Sequence, residues 1–303
     1  MYSLPLLETG ISRTFEKIES PPGVTEDDVP CARRGHTLVP YKDGACILFG
    51  GHSRVSLNDA WVLEADLTWR ELPTRGNNPT YPFSGTPECR YGHTSVIYRE
   101  HMYVFGGFGA SGPAEPHVWA LNLETYIWAV VDVAVGVSDG PGGRFGHTAS
   151  LVGCRMVIFG GMDGFPHGKS LNDAYQLNLV TLEWTKLLVG GGSDGTESGG
   201  GGDDAAQTSG SVQALLGPQA RRSHAAVLDS SGGRVIIFGG WGECAVQHDN
   251  TFLEMEISPP TLREIARDWI GSKVVFPRSA SSMSATTPKQ QERPNHQLVT
   301  CDT

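Results

Sequence analysis

The sequence of 303 residues lacks a long hydrophobic run. No stretch approaches the roughly 18 consecutive apolar residues that a membrane-spanning helix needs. The N-terminal segment MYSLPLLETGISRTF also lacks the basic start and the apolar centre of a secretory signal peptide. These absences predict a soluble cytoplasmic protein that has no membrane partner.

Positive charge is also scarce, because 23 Lys and Arg residues stand against 33 Asp and Glu residues and the formal net charge at pH 7 is −10. Proteins that bind nucleic acids concentrate positive charge against the phosphates, so nucleic acid is not an expected partner. The six cysteines are scattered without a C-x-x-C pair, which predicts reduced thiols.

Signals for a bound cofactor are weak. The stretch GFGASG at 107–112 matches the dinucleotide-binding pattern G-x-G-x-x-G, but Pro113 and Pro116 follow it where that motif needs a helix. The Gly/Ser/Asp-rich segment 190–217 lacks the Gly-Lys-Ser/Thr of a phosphate-binding loop, and its composition predicts a disordered surface insertion. No cofactor is therefore expected.

Glycine, in contrast, is abundant, with 39 residues, and much of it belongs to an internal repeat. Four segments share an Arg, a His three residues later, an apolar stretch and a final Phe-Gly-Gly; the first reads RRGHTLVPYKDGACILFGG and the third reads RFGHTASLVGCRMVIFGG. The four histidines are His36, His93, His147 and His224. Such a repeat is typical of an array built from one structural unit, so the four copies predict a single domain.

The third copy indicates the structure of the unit. TASLV and RMVIF are short β-branched runs, and Gly160-Gly161 ends the second of them. NDAYQLNLV at 172–180 alternates apolar and polar residues, and LEWTKLL follows it. Each copy is therefore predicted to be a four-stranded antiparallel meander. The four meanders cover approximately residues 33–73, 90–132, 144–188 and 221–266.

Aromatic residues repeat with the same unit, in the pairs Trp61/Trp69, Trp119/Trp128 and Tyr175/Trp184. Together with the four double glycines and the Asn-Asp pairs at 58/59 and 172/173, these residues resemble the kelch-repeat family. The resemblance implies an all-β propeller in which each unit is one blade, usually with five to seven blades. The predicted domain covers residues 12–278, opens on a lone fourth strand at 15–18 and precedes a polar tail at 279–303.

The ends of the array predict an incomplete ring. RSASS at 278–282 is in register with RFGHT, as though a fifth blade began there, but RPNH stands at 293–296 where its Phe-Gly-Gly should be. Closure with four blades and pairing of the open edges with another copy of the chain are the alternatives. The residues before the first copy are too few for the oligomerisation domain that precedes the propeller in the ubiquitin-ligase adaptor branch of the family.

The histidines form two sets. Those of the repeat begin corresponding inner strands, so they would lie around a ring, and a structural hydrogen-bonding role is predicted for them. The loops after the double glycines supply the second set, His52, His117, His167 and His248. Their unequal offsets argue against a shared metal. A metal-dependent or small-molecule enzyme that uses His52, His167 and His248 is the alternative to a non-catalytic protein.

One end of the blades is predicted to bind a partner protein. The loops after the second strands begin with His52, Phe108, Met162 and Trp241, and the segments before the first strands at the same end contain Arg33, Arg90, Arg144 and Arg221. Aromatic and Arg residues are enriched in binding hot spots, and a row of Arg could select an acidic peptide by bidentate pairing. The alternative is that each Arg pairs with an Asp or a backbone carbonyl of a neighbouring blade. The predicted function is a non-catalytic scaffold for protein interaction.

Overall fold

The computed structural model describes residues 25, 28–77, 85–110, 112–113, 116–133, 140–165, 167–187, 218–229, 232–242 and 252–257. These residues form eighteen β-strands and the 3-10 turn Lys42–Gly44. No helix in this part of the chain is long and apolar enough to cross a membrane. The predicted strand at 15–18, the insertion at 190–217, the outer strand of the fourth copy and the tail at 279–303 lie outside the described residues.

The strands form four blades, which confirms the predicted all-β propeller. The first blade contains β1 (Thr37–Pro40), β2 (Cys46–His52), β3 (Ser56–Leu63) and β4 (Trp69–Glu71). The second contains β6 (Thr94–Tyr98), β7 (His101–Phe105), β10 (Val118–Asn122) and β11 (Ile127–Val131). The third contains β12 (Thr148–Val152), β13 (Arg155–Phe159), β14 (Ala174–Asn178) and β15 (Glu183–Leu187), and the described part of the fourth contains β16 (Ala225–Leu228), β17 (Arg234–Phe238) and β18 (Phe252–Glu256). Within each blade these strands are antiparallel neighbours in chain order.

A short edge strand and a small hairpin were not predicted. The strand β5 (Arg75–Gly76) follows the first blade and pairs in parallel with β11, so it forms the outer edge of the second blade. The backbone N–H of Arg75 donates to the Tyr126 carbonyl at 3.0 Å. The strands β8 (Phe108–Gly109) and β9 (Gly112–Pro113) form a small hairpin. The stretch that matches a dinucleotide-binding pattern therefore contributes to a β-hairpin.

The apolar cores lie between consecutive blades. Phe49 on β2 packs against Trp128 on β11, with 4.9 Å between the ring centroids, and Phe105 on β7 packs against Trp184 on β15 at 5.4 Å. All four rings are buried. Because each sheet is apolar on both faces, it must be covered on both sides, and the large Trp rings fill the widening space at the outer strands. The spaced aromatics of the sequence thus occupy equivalent places in successive interfaces.

The same backbone contact recurs where the inner strands of neighbouring blades meet, and it is called the joint between two blades. The second glycine of each pair donates its N–H to the carbonyl of the Arg that begins the next copy, in the pairs Gly51 to Arg90 at 2.9 Å, Gly107 to Arg144 at 2.8 Å and Gly161 to Arg221 at 2.9 Å. Both glycines of a pair have positive φ, with 59° at Gly50 and 105° at Gly51. Side chains rarely adopt this conformation, so the double glycine permits one blade to approach the next closely.

The cysteine chemistry differs from the expectation of reduced thiols. Cys31, Cys46 and Cys154 form no disulfide, but Cys89, which is buried just before the second copy, is disulfide-bonded. The scattered spacing contained no sign of a bonded pair, because the distance between two cysteines in the fold is not set by their separation along the chain.

Candidate partner-binding face

The predicted binding residues lie at one end of the blades, here called the glycine end, where the second strand of each blade reaches its double glycine. In each copy the residue after the double glycine pairs with the residue that follows the repeated Arg. The pairs are Arg34 with His52, Tyr91 with Phe108, Phe145 with Met162 and Arg222 with Trp241. Each pair exchanges two backbone hydrogen bonds of 2.8 to 3.0 Å. The four pairs therefore occupy equivalent places at the glycine end.

The repeated arginines are buried. Arg33 forms a bidentate ion pair with Asp59, with N–O distances of 2.6 and 2.8 Å, and it donates to the carbonyl of the first glycine in its own double glycine at 3.1 Å. Arg144 repeats the arrangement, with Asp173 at 2.6 and 3.2 Å and the corresponding glycine carbonyl at 3.1 Å. Only 3% of each of these two Arg side chains is exposed. Both guanidinium groups are thus committed to internal partners.

Arg90 and Arg221 donate to the corresponding carbonyls, those of Gly106 at 2.9 Å and Gly239 at 3.1 Å. These arginines are 4% and 1% exposed. Burial lowers the pKa of Arg90 to about 10, so it stays charged at neutral pH. The hypothesis that the Arg row contacts a partner does not agree with this burial. The geometry agrees with the alternative of internal pairing, except that the partners lie in the same blade and not in a neighbouring one.

Replacing Arg144 with Met should destabilise the protein by about 3 kcal/mol, because the partly buried Asp173 carboxylate and a buried backbone carbonyl lose their donor. Arg234 is a matched control, since it pairs with Asp229 at 3.0 Å and with Glu254 at 2.7 Å but is half exposed. Arg234→Met should therefore cost less than about 1 kcal/mol. Equal losses of unfolding free energy in urea for the two variants would contradict the structural role of Arg144.

Three of the four repeated histidines connect neighbouring blades, which confirms the predicted structural role for these three. Ring Nε2 atoms lie within hydrogen-bonding distance of Thr Oγ1 atoms of the preceding blade, for His93 and Thr37 at 3.2 Å, His147 and Thr94 at 2.7 Å, and His224 and Thr148 at 2.9 Å. Burial lowers the pKa of His93 to about 3, that of His224 to about 4 and that of His147 well below its usual range. These three rings are therefore neutral groups of the interior, whereas His36 of the first blade is exposed.

Aromatic rings form a continuous row across three blades at the glycine end. His52 lies 5.2 Å from Tyr91, Tyr91 lies 5.7 Å from Phe108, and Phe108 lies 5.1 Å from Phe145, measured between ring centroids. Phe165 extends the row from a loop of the third blade, 6.2 Å from Phe108, and is 70% exposed. These five residues are called the aromatic row. Because the other four are only half-buried, the row presents a contiguous apolar surface.

The four residues after the double glycines, which were predicted to contact a partner, differ in their exposure. His52 and Phe108 belong to the aromatic row. Trp241 is 41% exposed, and its role as a binding residue stays a prediction. Met162 is only 4% exposed, so it contributes to packing and is not available to a partner.

Sequence reasoning missed Tyr91, Phe145 and Phe165. A signal for the first two is present in the repeat itself, because the position between the constant Arg and the following Gly or Ser varies. It is occupied by Arg34, Tyr91, Phe145 and Arg222 in the four copies. A position that varies inside an otherwise regular motif does not serve the joint that every blade shares, so it is free to face a partner.

The described part of the glycine end carries more positive than negative charge, although the chain as a whole is acidic. Arg34, Arg54 and Lys169 are exposed, and Arg222 is half-buried with its guanidinium 3.1 Å from a serine hydroxyl. Two acids at this end, Asp59 and Asp173, are already paired with buried arginines, and the half-buried Glu88 interacts with the buried Arg90. Asp163 is exposed and accepts the backbone N–H of Lys169. An approaching acidic group would therefore meet available cations.

The second set of histidines does not converge in the described residues. His52 belongs to the aromatic row, His117 and His167 are exposed in separate loops, and His248 lies outside the described residues. Within the described ranges, no three His, Cys, Asp or Glu side chains come together in a way that could hold a metal ion.

Repeated four-stranded blades that stack face to face and meet at their inner strands define a β-propeller built from sequence repeats. The family model described as the KLHDC2/KLHL20/DRC7 Kelch-repeats domain matches residues 81–200. The chain belongs to the kelch-repeat family, as its double glycines and spaced aromatics predict.

Several known proteins are similar to the chain. Human host cell factor 2 is 32% identical over 219 residues, which cover 62% of this chain and 26% of that protein. Adagio-like protein 1 of Oryza sativa subsp. japonica is 31% identical over 227 residues, or 72% of this chain and 32% of that protein. Kelch domain-containing protein 3 of Bos taurus is 32% identical over 130 residues, or 41% of this chain and 32% of that protein. The chain thus spans about a quarter to a third of the length of these relatives.

Proposed function

We propose that the chain is a non-catalytic protein-interaction module of the cytoplasm that binds a partner protein through its glycine end. The aromatic row carries this proposal, because it is a contiguous apolar surface that spans three blades beside exposed basic residues. Aromatic rings next to Arg are typical of interface hot spots, where they combine a large contact area with directional hydrogen bonds. Membership of the kelch-repeat family supports an interaction role in general.

The partner is proposed to contribute an acidic segment. Arg34, Arg54, Lys169 and Arg222 provide cations at the glycine end, and carboxylates bind Arg through paired, charge-assisted hydrogen bonds. In a chain whose net charge is −10, a locally positive end also orients an acidic partner as it approaches. These residues take the place of the buried Arg row as the source of positive charge.

Replacing Phe165 with Ala should weaken capture of the partner about tenfold or more, because an exposed aromatic anchor is lost from the row. Phe165 suits the test because it is 70% exposed, so its removal leaves the core of the blades intact. Arg34→Glu should weaken capture to a similar extent, and this effect should shrink as salt is added. The measurement is quantitative mass spectrometry of proteins retained from a cell extract by the immobilised chain.

Two control substitutions lie away from the aromatic row. Val227→Ala shortens an apolar side chain that is 59% exposed on β16, and Lys186→Glu reverses an exposed charge on β15. Both variants should retain the same proteins as the unmodified chain. A set of captured proteins that survives both Phe165→Ala and Arg34→Glu would show that the binding surface lies elsewhere.

A further inference from the structure

A cavity of about 590 Å³ opens between the first two blades at the end of the sheets opposite the glycine end. Its apolar lining consists of buried residues, Ala45, Ile47, Val62, Leu72 and Leu123. Tyr41 and Tyr126, which are half-buried, also line it, as do several charged residues. The volume lies within the roughly 300 to 1,000 Å³ that ligand pockets usually have. The aromatic row and its basic neighbours are not part of this cavity.

A small residue in the first blade opens the cavity. Ala45 accepts the backbone N–H of Tyr41 at the turn between the first two strands. At the equivalent turns the second blade places His101 opposite Tyr98, and the third places Arg155 opposite Val152. The first blade thus has a methyl group where the next two blades have a long side chain. The cavity is therefore a feature of one blade interface and not of the repeat.

A second small residue, Ala65, lines the opening of the cavity. It lies in the turn after β3 and is exposed. Its equivalents Leu123 and Leu179 are buried and each packs against the preceding blade. A substitution that fills this cavity must therefore replace Ala45, which belongs to the core cluster between the first two blades.

The charged residues at the opening are unevenly paired. Lys42 pairs with Glu100 at 2.5 Å, and Arg70 pairs with Glu64 at 3.0 Å, so both cations are occupied. The remaining two acids, Asp43 and Asp66, are exposed and have no Lys or Arg partner among the described residues. Asp66 accepts hydrogen bonds from the backbone N–H and the hydroxyl of Thr68. The opening therefore carries an excess of negative charge around an apolar floor.

We propose that this cavity binds a segment of a partner protein that inserts an aliphatic or aromatic side chain and places Lys or Arg beside Asp43 and Asp66. The floor is buried whereas the two acids are exposed, so an occupant that satisfies both must extend from the cavity into solvent. A side chain with its flanking residues has this shape. The site is separate from the glycine end, so the chain would hold a basic partner segment at one end and an acidic one at the other.

The test uses three capped synthetic hexapeptides. The first has Leu flanked by Lys residues, the second has Gly in place of Leu, and the third has Glu in place of each Lys. In methyl NMR of the full chain, the first peptide should shift the signals of Ala45, Ala65, Ile47 and Val62, which line the cavity. It should bind about tenfold or more tightly than either of the others, because one lacks the apolar anchor and one carries the wrong charge.

Variants of the chain separate the two parts of the site. Ala45→Leu lengthens a side chain of the cavity floor at the position where the next two blades have His101 and Arg155, and it should weaken binding of the Leu peptide about tenfold or more by filling the cavity. Asp43→Asn and Asp66→Asn together should weaken binding several-fold. Asn suits both positions, because it tolerates the φ of 55° at Asp43 and keeps an acceptor for Thr68. Asp163→Asn, at the glycine end, is the control and should leave binding unchanged.

The proposal is overturned if none of the peptides binds at millimolar concentration. It is also overturned if the Gly or Glu peptide binds as tightly as the Leu peptide, or if a folded Ala45→Leu variant binds as the unmodified chain does. Folding of each variant is established from its methyl spectrum away from the cavity. None of these outcomes affects the function proposed for the glycine end, because the aromatic row is left unaltered.

Discussion

Lowering the pH from about 7 to about 5 should reduce the free energy of unfolding by roughly 6 kcal/mol, or about 2 kcal/mol for each of three histidines. Desolvation lowers the folded-state pKa of His93 to about 3 and of His224 to about 4, and that of His147 well below the usual range. Each has an ordinary pKa of 6.5 in the unfolded chain. Between these values the unfolded state binds protons that the folded state does not. The part of the unfolding free energy that depends on these neutral rings is therefore fully present above about pH 6.5, and it is lost as the pH falls below that value.

Charged neighbours of these rings lower their pKa values further. Arg90 lies near His93 and Arg144 lies near His147, so nearby positive charge further disfavours protonation of both rings. Urea unfolding at the two pH values measures the decrease. His147→Gln should reduce the decrease by about a third, because Gln stays neutral. His36→Gln, on the exposed histidine of the first blade, should change it far less. A decrease below about 1 kcal/mol in the unmodified chain would disprove the buried, neutral state of the three rings.

The regularity of the repeat made the blades predictable. Period-2 alternation indicated the strands of the third blade, and the spacing of Trp128 and Trp184 indicated equivalent places in successive interfaces, where both are buried. Short pairings without an apolar pattern were not predictable. The strand β5 has only two residues, and its place beside β11 depends on where the chain leaves the first blade.

The binding face was harder to predict, because a residue that is identical in every copy can serve either the structure of each blade or the binding of a partner. Arg144 and its equivalents recur since every blade needs the same internal donor to its double-glycine carbonyl, and a partner does not require that recurrence. The aromatic row instead draws on Tyr91 and Phe145, at the position where the copies differ. The cavity between the first two blades was also beyond sequence reasoning, because the absence of a side chain at Ala45 matters only once its neighbours in the next blade are known.

Replacing Gly106 with Ala should destabilise the protein by more than about 4 kcal/mol, which exceeds the usual effect of a single substitution. The φ of Gly106 is +66°, so any side chain there is strained. A Cβ atom would also collide with the backbone carbonyl oxygen of Arg144 and would lie 2.8 Å from Cε1 of His147. The carbonyl accepts the N–H of Gly107, and the ring bonds Thr94. The methyl group would therefore force apart the joint between the second and third blades.

Gly142→Ala is the matched control, because a Cβ atom at Gly142 would meet no other atom within 4 Å and its φ lies outside the left-handed region. This variant should be unchanged or stabilised by up to about 1 kcal/mol, since Ala restricts the unfolded chain. Urea unfolding compares the two free energies, and amide hydrogen exchange locates the loss. In Gly106→Ala the N–H groups of Gly107 and Gly146, which cross this joint, should exchange faster than that of Gly92 at the preceding joint. Uniform acceleration at both joints would mean that the blades open together, and equal stability of the two variants would mean that the Arg144 carbonyl is not held against Gly106.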